Sequence, residues 1–206
     1  TIFTNKSIHI IIVSVVTLVM LGGLFSPSRG EAPGSVESGS VEIDGTVFKT
    51  RITPSGVPLE LKGTAVLTYL MFIKAYAGAL YLPDEVEGKH ALTDVPRCLT
   101  LEYRVAIKAE DFATATSESI LKSEGSEAYR VLEPDINRLN RLYRDVRPGD
   151  RYALTYMPDN GTELSLNGQP LGKITGRDFS RAVFSIWLGP TPIDKRFRDQ
   201  LTGGKP

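Results

Sequence analysis

The chain is poor in the residues that build reactive centres: of 206 residues, two are histidine, one is cysteine and one is tryptophan. A single cysteine excludes an internal disulfide. In the run Cys98-Leu99-Thr100-Leu101-Glu102-Tyr103 it reads as a buried strand residue rather than a reactive thiol. His9 and His90 lie far apart, so no metal-ligand spacing exists and no Ser-His-Asp set can be read from spacing. A phosphate-cradling glycine loop and a paired-carboxylate motif are missing too, and neither a metal nor a cofactor is expected. An excess of charge of one sign is also lacking: 24 basic side chains face 24 acidic ones. Without a basic field to hold a phosphate backbone, nucleic acid is not an expected partner.

What the chain does have is two long apolar runs. The first, from Ile8 to Leu24, is nearly uncharged, follows Lys6 and precedes small, turn-forming residues from Ser26 to Gly34. That is the shape of a secretory signal, with Gly30 as the cleavage position. A run of about 17 residues also reaches the lower limit for a membrane-spanning helix, so a retained anchor contacting the membrane through residues 8–24 is the alternative. Either reading exports the remainder, which points to a periplasmic domain. Residues 31–40 are rich in Gly, Ser and Pro and read as a flexible linker, leaving 41–206 as one domain. With 41% hydrophobic and 23% charged residues, that domain has an ordinary globular composition.

The second run, Leu61 to Pro83, is dense in Leu, Val, Ile, Phe, Tyr and Ala and is broken by Lys74 alone among charges after Lys62. Its β-branched and aromatic content favours sheet buried on both faces, with a helix as the rival. Further strands are expected over Val41–Ile52, Leu59–Gly63, Val66–Leu82 and Cys98–Val105. A helix is expected from Ala109 to about Lys122, with Glu110 and Asp111 at its positive end and Gly125 closing it. A second, from Ser126 to Val146, carries Val131, Leu132, Ile136, Leu139, Leu142 and Tyr143 near helical spacing and is expected to be kinked or divided at Pro134. Beyond Pro148 the period returns to two, with Asn167-Gly168 as a hairpin turn. Helices from Gly176 to Leu188 and Asp194 to Leu201 end the chain. The class is α+β, an antiparallel sheet covered on one face by helices.

Several of these segments carry a resemblance. Gly63-Thr64-Ala65, Lys74-Ala75-Tyr76, Ala79-Leu80-Tyr81-Leu82-Pro83, Gly149-Asp150, Gly161-Thr162, Asn167-Gly168 and Ile186-Trp187-Leu188-Gly189 together resemble the chalcone isomerase-like family, and in particular its exported bacterial branch. The resemblance implies an open-faced β-sandwich. It also implies a site, because plant enzymes of the family close a chalcone into a flavanone with an arginine, hydroxyls, a lysine and an amide around a cleft. Matched to that pattern, Phe112 stands where the plant enzyme has a cleft tyrosine, Ala115 where it has a lysine and Ser119 where it has an asparagine. The arginine falls on Leu67 or Thr68, and Tyr76 replaces a threonine that orders water.

Replacing Tyr, Lys and Arg by Phe, Ala and Leu or Thr removes the donors that stabilise a phenolate or enolate, a loss commonly worth several kcal/mol per donor. The expectation is therefore a non-catalytic, exported protein whose cleft takes a fatty acid or another apolar molecule through Thr68, Lys74, Tyr76, Phe112 and Ser119. Lys74 must snorkel, pair with an acid, or meet the ligand. A protein-interaction module of the envelope and an isomerase of the intramolecular lyase type are the competing readings. Tyr69, Tyr76, Phe112 and Trp187 also read as plain core aromatics.

Overall fold

The computed structural model describes residues 39–69 and 73–204. The expected signal or anchor and most of the linker lie outside the described residues. Among the described residues, no helix is long and apolar enough to cross a membrane.

The chain runs through β1 (Ser40–Ile43), β2 (Thr46–Lys49), β3 (Arg51–Ile52), β4 (Leu59–Tyr69), β5 (Ile73–Leu82), β6 (Arg97–Tyr103), α1 (Ala109–Leu142), β7 (Arg151–Met157), β8 (Gly161–Leu166), β9 (Gln169–Ile174), α2 (Arg177–Leu188) and α3 (Lys195–Leu201). Strands β3 to β9 form a seven-stranded sheet in chain order, each pair antiparallel. The three helices lie on one face. On the other, β1 and β2 make a separate hairpin whose Phe48 packs with Leu59, Ala77, Ala79, Tyr81 and Cys98. This is the α+β, open-faced sandwich expected from the sequence.

Strand β5 is where the two layers meet. Every residue from Ala75 to Leu82 is buried. Alternation sends Tyr76, Leu80 and Leu82 into the core beneath the helices and Ala77, Ala79 and Tyr81 toward the hairpin. Sheet buried on both faces is thus the correct reading of Ala75 to Leu82, whereas Leu61–Tyr69 is strand, not helix, but mostly half-buried.

Several expected boundaries change: the strands expected over Leu59–Gly63 and Val66–Leu82 are instead β4, Leu59–Tyr69, and β5, Ile73–Leu82. The stretch from Val41 to Ile52 is a hairpin and a short third strand, not one strand. Asp44 and Gly45 take φ of 50° and 80°, the pair of positive values a two-residue primed turn requires. Pro134 lies inside α1 without dividing it, whereas Gly125, at φ 82° and ψ 168°, breaks the helix. Glycine reaches that conformation at no steric cost, while Pro134 forfeits one hydrogen bond in a segment already held by buried Leu132, Ile136 and Leu139. The second helical segment also stops at Leu142, short of Val146, which instead bridges to Ile107.

The hairpin is fixed electrostatically as well. Asp44 in its turn meets Lys74 Nζ at 2.5 Å and Arg104 at 2.6 Å, and Thr46 donates to Glu102 at 2.8 Å. Arg97, only 1% exposed, packs its guanidinium 4.4 Å from the centroid of the Tyr156 ring and 4.7 Å from that of Phe184. It donates to the carbonyls of Ala91 and Thr93 and to Ser180, which ties β6 to α2.

Candidate ligand cavity

Between the sheet and the helices lies a cavity of about 70 Å³. The first half of α1 supplies Phe112, Ala115 and Ser119, whose spacing of three and four residues places them on one face of the helix. The sheet contributes Tyr76 from β5, Leu99, Leu101 and Tyr103 from β6, Tyr152 and Leu154 from β7 and Leu164 from β8. Tyr143, Ile186, Trp187 and Ile193 close the remaining side. Among the described residues, no Asp, Glu, Lys, Arg or His lines it.

Aromatic packing explains the small volume. Phe112 stacks on Tyr143 at 5.3 Å and meets Tyr103 and Tyr152 edge to face at 5.2 and 5.4 Å. Tyr76 meets Phe197 of α3 at 5.4 Å with perpendicular rings. Such contacts contribute about 0.5–1.5 kcal/mol each beyond area burial, so the rings are held in place rather than loosely lining a void.

The polar atoms within this wall are neutral. Trp187 Nε1 donates to Tyr76 Oη at 3.1 Å, Thr116 and Tyr143 share a hydrogen bond of 2.8 Å, and Tyr152 accepts from the Arg144 N–H at 2.7 Å. Burial pushes the Tyr76, Tyr103 and Tyr143 hydroxyls well above the ordinary tyrosine value, so none of them offers a phenolate base at neutral pH.

Of the five residues the sequence nominates for binding, Tyr76, Phe112 and Ser119 come together here. Lys74 does not. It is exposed on the hairpin side of the sheet and paired with Asp44, the acid-partner outcome among the three considered for it. Thr68 is exposed as well and belongs to an outer cleft of about 750 Å³ formed with Ile43, Val66, Phe197, Gln200 and the segment from Pro192 to Arg196. Strand alternation accounts for the difference, since Leu67 is buried in the main core and its neighbour faces the other way. Ile193 lines both the outer cleft and the inner cavity. Sequence reasoning missed Tyr103, Tyr143 and Tyr152 as cavity residues. The alternation Leu99, Leu101, Tyr103 opposite Cys98 was the signal available for the first of them.

Comparison with known proteins agrees with this architecture. A fatty-acid binding protein of Arabidopsis thaliana has a similar fold at a TM-score of 0.60 and 16% identity, the match covering 80% of this chain and 96% of that one. No curated protein matches the chain by sequence. Residues 40–203 match the family model described as chalcone isomerase-like, and the chain therefore belongs to the chalcone isomerase-like family.

Proposed function

We propose that this protein is a non-catalytic binder of an apolar molecule, a fatty acid or a comparable lipid, exported to the cell envelope. The observation that carries the reading is the cavity wall, which is mostly aromatic and aliphatic and, among the described residues, free of ionisable groups other than tyrosine. An isomerase needs groups that hold developing charge, and the positions where plant enzymes place them are Phe112, Ala115 and Ser119 here. The fold shared with a plant fatty-acid binding protein supports the same reading. Export rests on the apolar run from Ile8 to Leu24 and the small residues that follow.

A cavity of about 70 Å³ is smaller than the roughly 150 Å³ that takes up a benzene molecule in a protein core. A long acyl chain therefore extends past Ile193 into the outer cleft, where Lys195 and Arg196 stand. The same small volume favours the second reading, an interaction module of the envelope with a side-chain-filled interior.

One experiment separates the two. Trp187 is the chain's single tryptophan, and its indole N–H is a reporter on the cavity in NMR titrations. Hexadecanoic acid and hexadecanol are each expected to move that signal, with affinities within about tenfold, because the described residues place no cation in the inner cavity and Asp194 stands beside Lys195 and Arg196 in the outer cleft. Native mass spectrometry of protein isolated from its own envelope is expected to find a co-purifying lipid. No shift with either probe, together with an empty native spectrum, sinks the binder and leaves the interaction module.

A further inference from the structure

Four tyrosines line the cavity, and three of their hydroxyls are engaged by the protein. Tyr76 accepts from Trp187, Tyr143 is bonded to Thr116, and Tyr152 both accepts from the Arg144 N–H and donates to the Arg144 carbonyl at 3.0 Å. Tyr103 differs. Its ring is held by Tyr76, Phe112 and Tyr152 at 5.5, 5.2 and 5.9 Å, and the residue is 4% exposed. Its hydroxyl has no hydrogen-bond partner among the described residues. The residue lines the cavity, and a donor that faces an apolar cavity without a protein partner is answered by a correctly placed acceptor.

We propose that the Tyr103 hydroxyl is the specificity group of the cavity, and that the part of the ligand lodged there carries a neutral oxygen acceptor such as a ketone, aldehyde, ester or ether. This rests on the binder reading and names the class of molecule bound. Plain hydrocarbon leaves the donor unanswered. A carboxylate is disfavoured for the opposite reason, because its charge is buried among rings with no cation in the wall. The hydroxyl stays protonated far above neutral pH, since burial and the neighbouring tyrosine hydroxyls oppose ionisation, and so it acts as a donor.

Hexan-2-one, hexane and hexanoate test the idea, each titrated against the full chain and against Tyr103→Phe with the Trp187 indole signal as readout. The phenylalanine keeps the ring and its packing. In the unmodified chain the ketone is expected to bind about fivefold more tightly than hexane and more tightly than hexanoate, with the ketone preference falling to near one in the variant. Equal binding of ketone and hexane overturns the assignment. So does a ketone preference that survives Tyr103→Phe, or hexanoate binding most tightly. These rankings in the unmodified chain stand even if the variant fails to fold. If all three probes leave the indole signal unmoved, the binder reading fails and takes the assignment with it.

Discussion

Trp187 of α2 and Tyr76 of β5 hydrogen-bond across the cavity at 3.1 Å, joining the helical layer to the most deeply buried strand. Tyr76→Phe preserves the ring contacts with Tyr103 and Phe197 and removes only the acceptor. The half-buried indole N–H then loses its partner, a change expected to cost about 1–3 kcal/mol. A lower urea midpoint, with an upfield-moved indole proton, is the expected result.

Ile193 is the partition between the outer cleft and the inner cavity. It is half-buried, so Ile193→Ala is expected to cost about 1–2 kcal/mol, below the 2–5 kcal/mol typical of a fully buried isoleucine. Shortening it joins the two spaces. Stopped-flow mixing with hexadecanol is therefore expected to show faster association in the variant than in the parent chain.

Gly63 permits α3 to lie directly on β4. A Cβ at this position falls 2.2 Å from the Gln200 carbonyl oxygen and 2.6 Å from that of Leu201, both backbone atoms that cannot rotate away. Gly63→Ala is expected to cost about 3 kcal/mol, the upper end for overpacking, because α3 must lift from the sheet. Thermal unfolding followed by circular dichroism measures the loss. Hydrogen exchange localises it to residues 195–201.

Asp44 gives the hairpin a pH dependence. A hydrogen bond from Lys74, reinforced by the charge of Arg104, holds its carboxyl below the ordinary aspartate value of 3.8. The folded pKa is depressed, so the stabilisation is complete above 3.8 and is lost as pH falls through that value toward the folded one. Asp44→Asn keeps a residue that tolerates the positive φ of the turn and removes the charge. The variant is expected to be less stable at neutral pH, with a shallower decline in urea midpoint under acid.

How far the sequence carries depends on whether the deciding neighbour is local. The Asn167-Gly168 turn and the helix start at Asp194, whose carboxylate accepts from the Phe197 N–H at 2.7 Å, are contained within a few residues and are legible, whereas Phe112, Ala115 and Ser119 were placed by the family resemblance. Asp44-Gly45 was equally local; its signal was masked by the apolar alternation on either side. Lys74 is another case, since its partner lies 30 residues away and no pattern in the run around it names Asp44. The convergence of Tyr103, Tyr143 and Tyr152 is still less accessible, because it depends on how β6, the end of α1 and β7 are brought together. Helical spacing places Leu132, Ile136 and Leu139 in the core correctly, yet it also nominates Val131, which is 72% exposed.

The contact of α3 with Gly63, and the similarly close approach of Gly88 to the Thr202 carbonyl, bear on the order in which the chain is made. Phe197 and Leu201 leave the ribosome after every strand they cover. Until they emerge, Tyr76 lacks its perpendicular ring and the cavity stands open on the side that Ile193 later occupies. Under the proposed binding function, an apolar molecule met before that point would enter without passing Ile193, and the docking of Phe197 would enclose it. Occupancy acquired in this way would be set by what the nascent chain encounters as well as by the affinity of the finished protein.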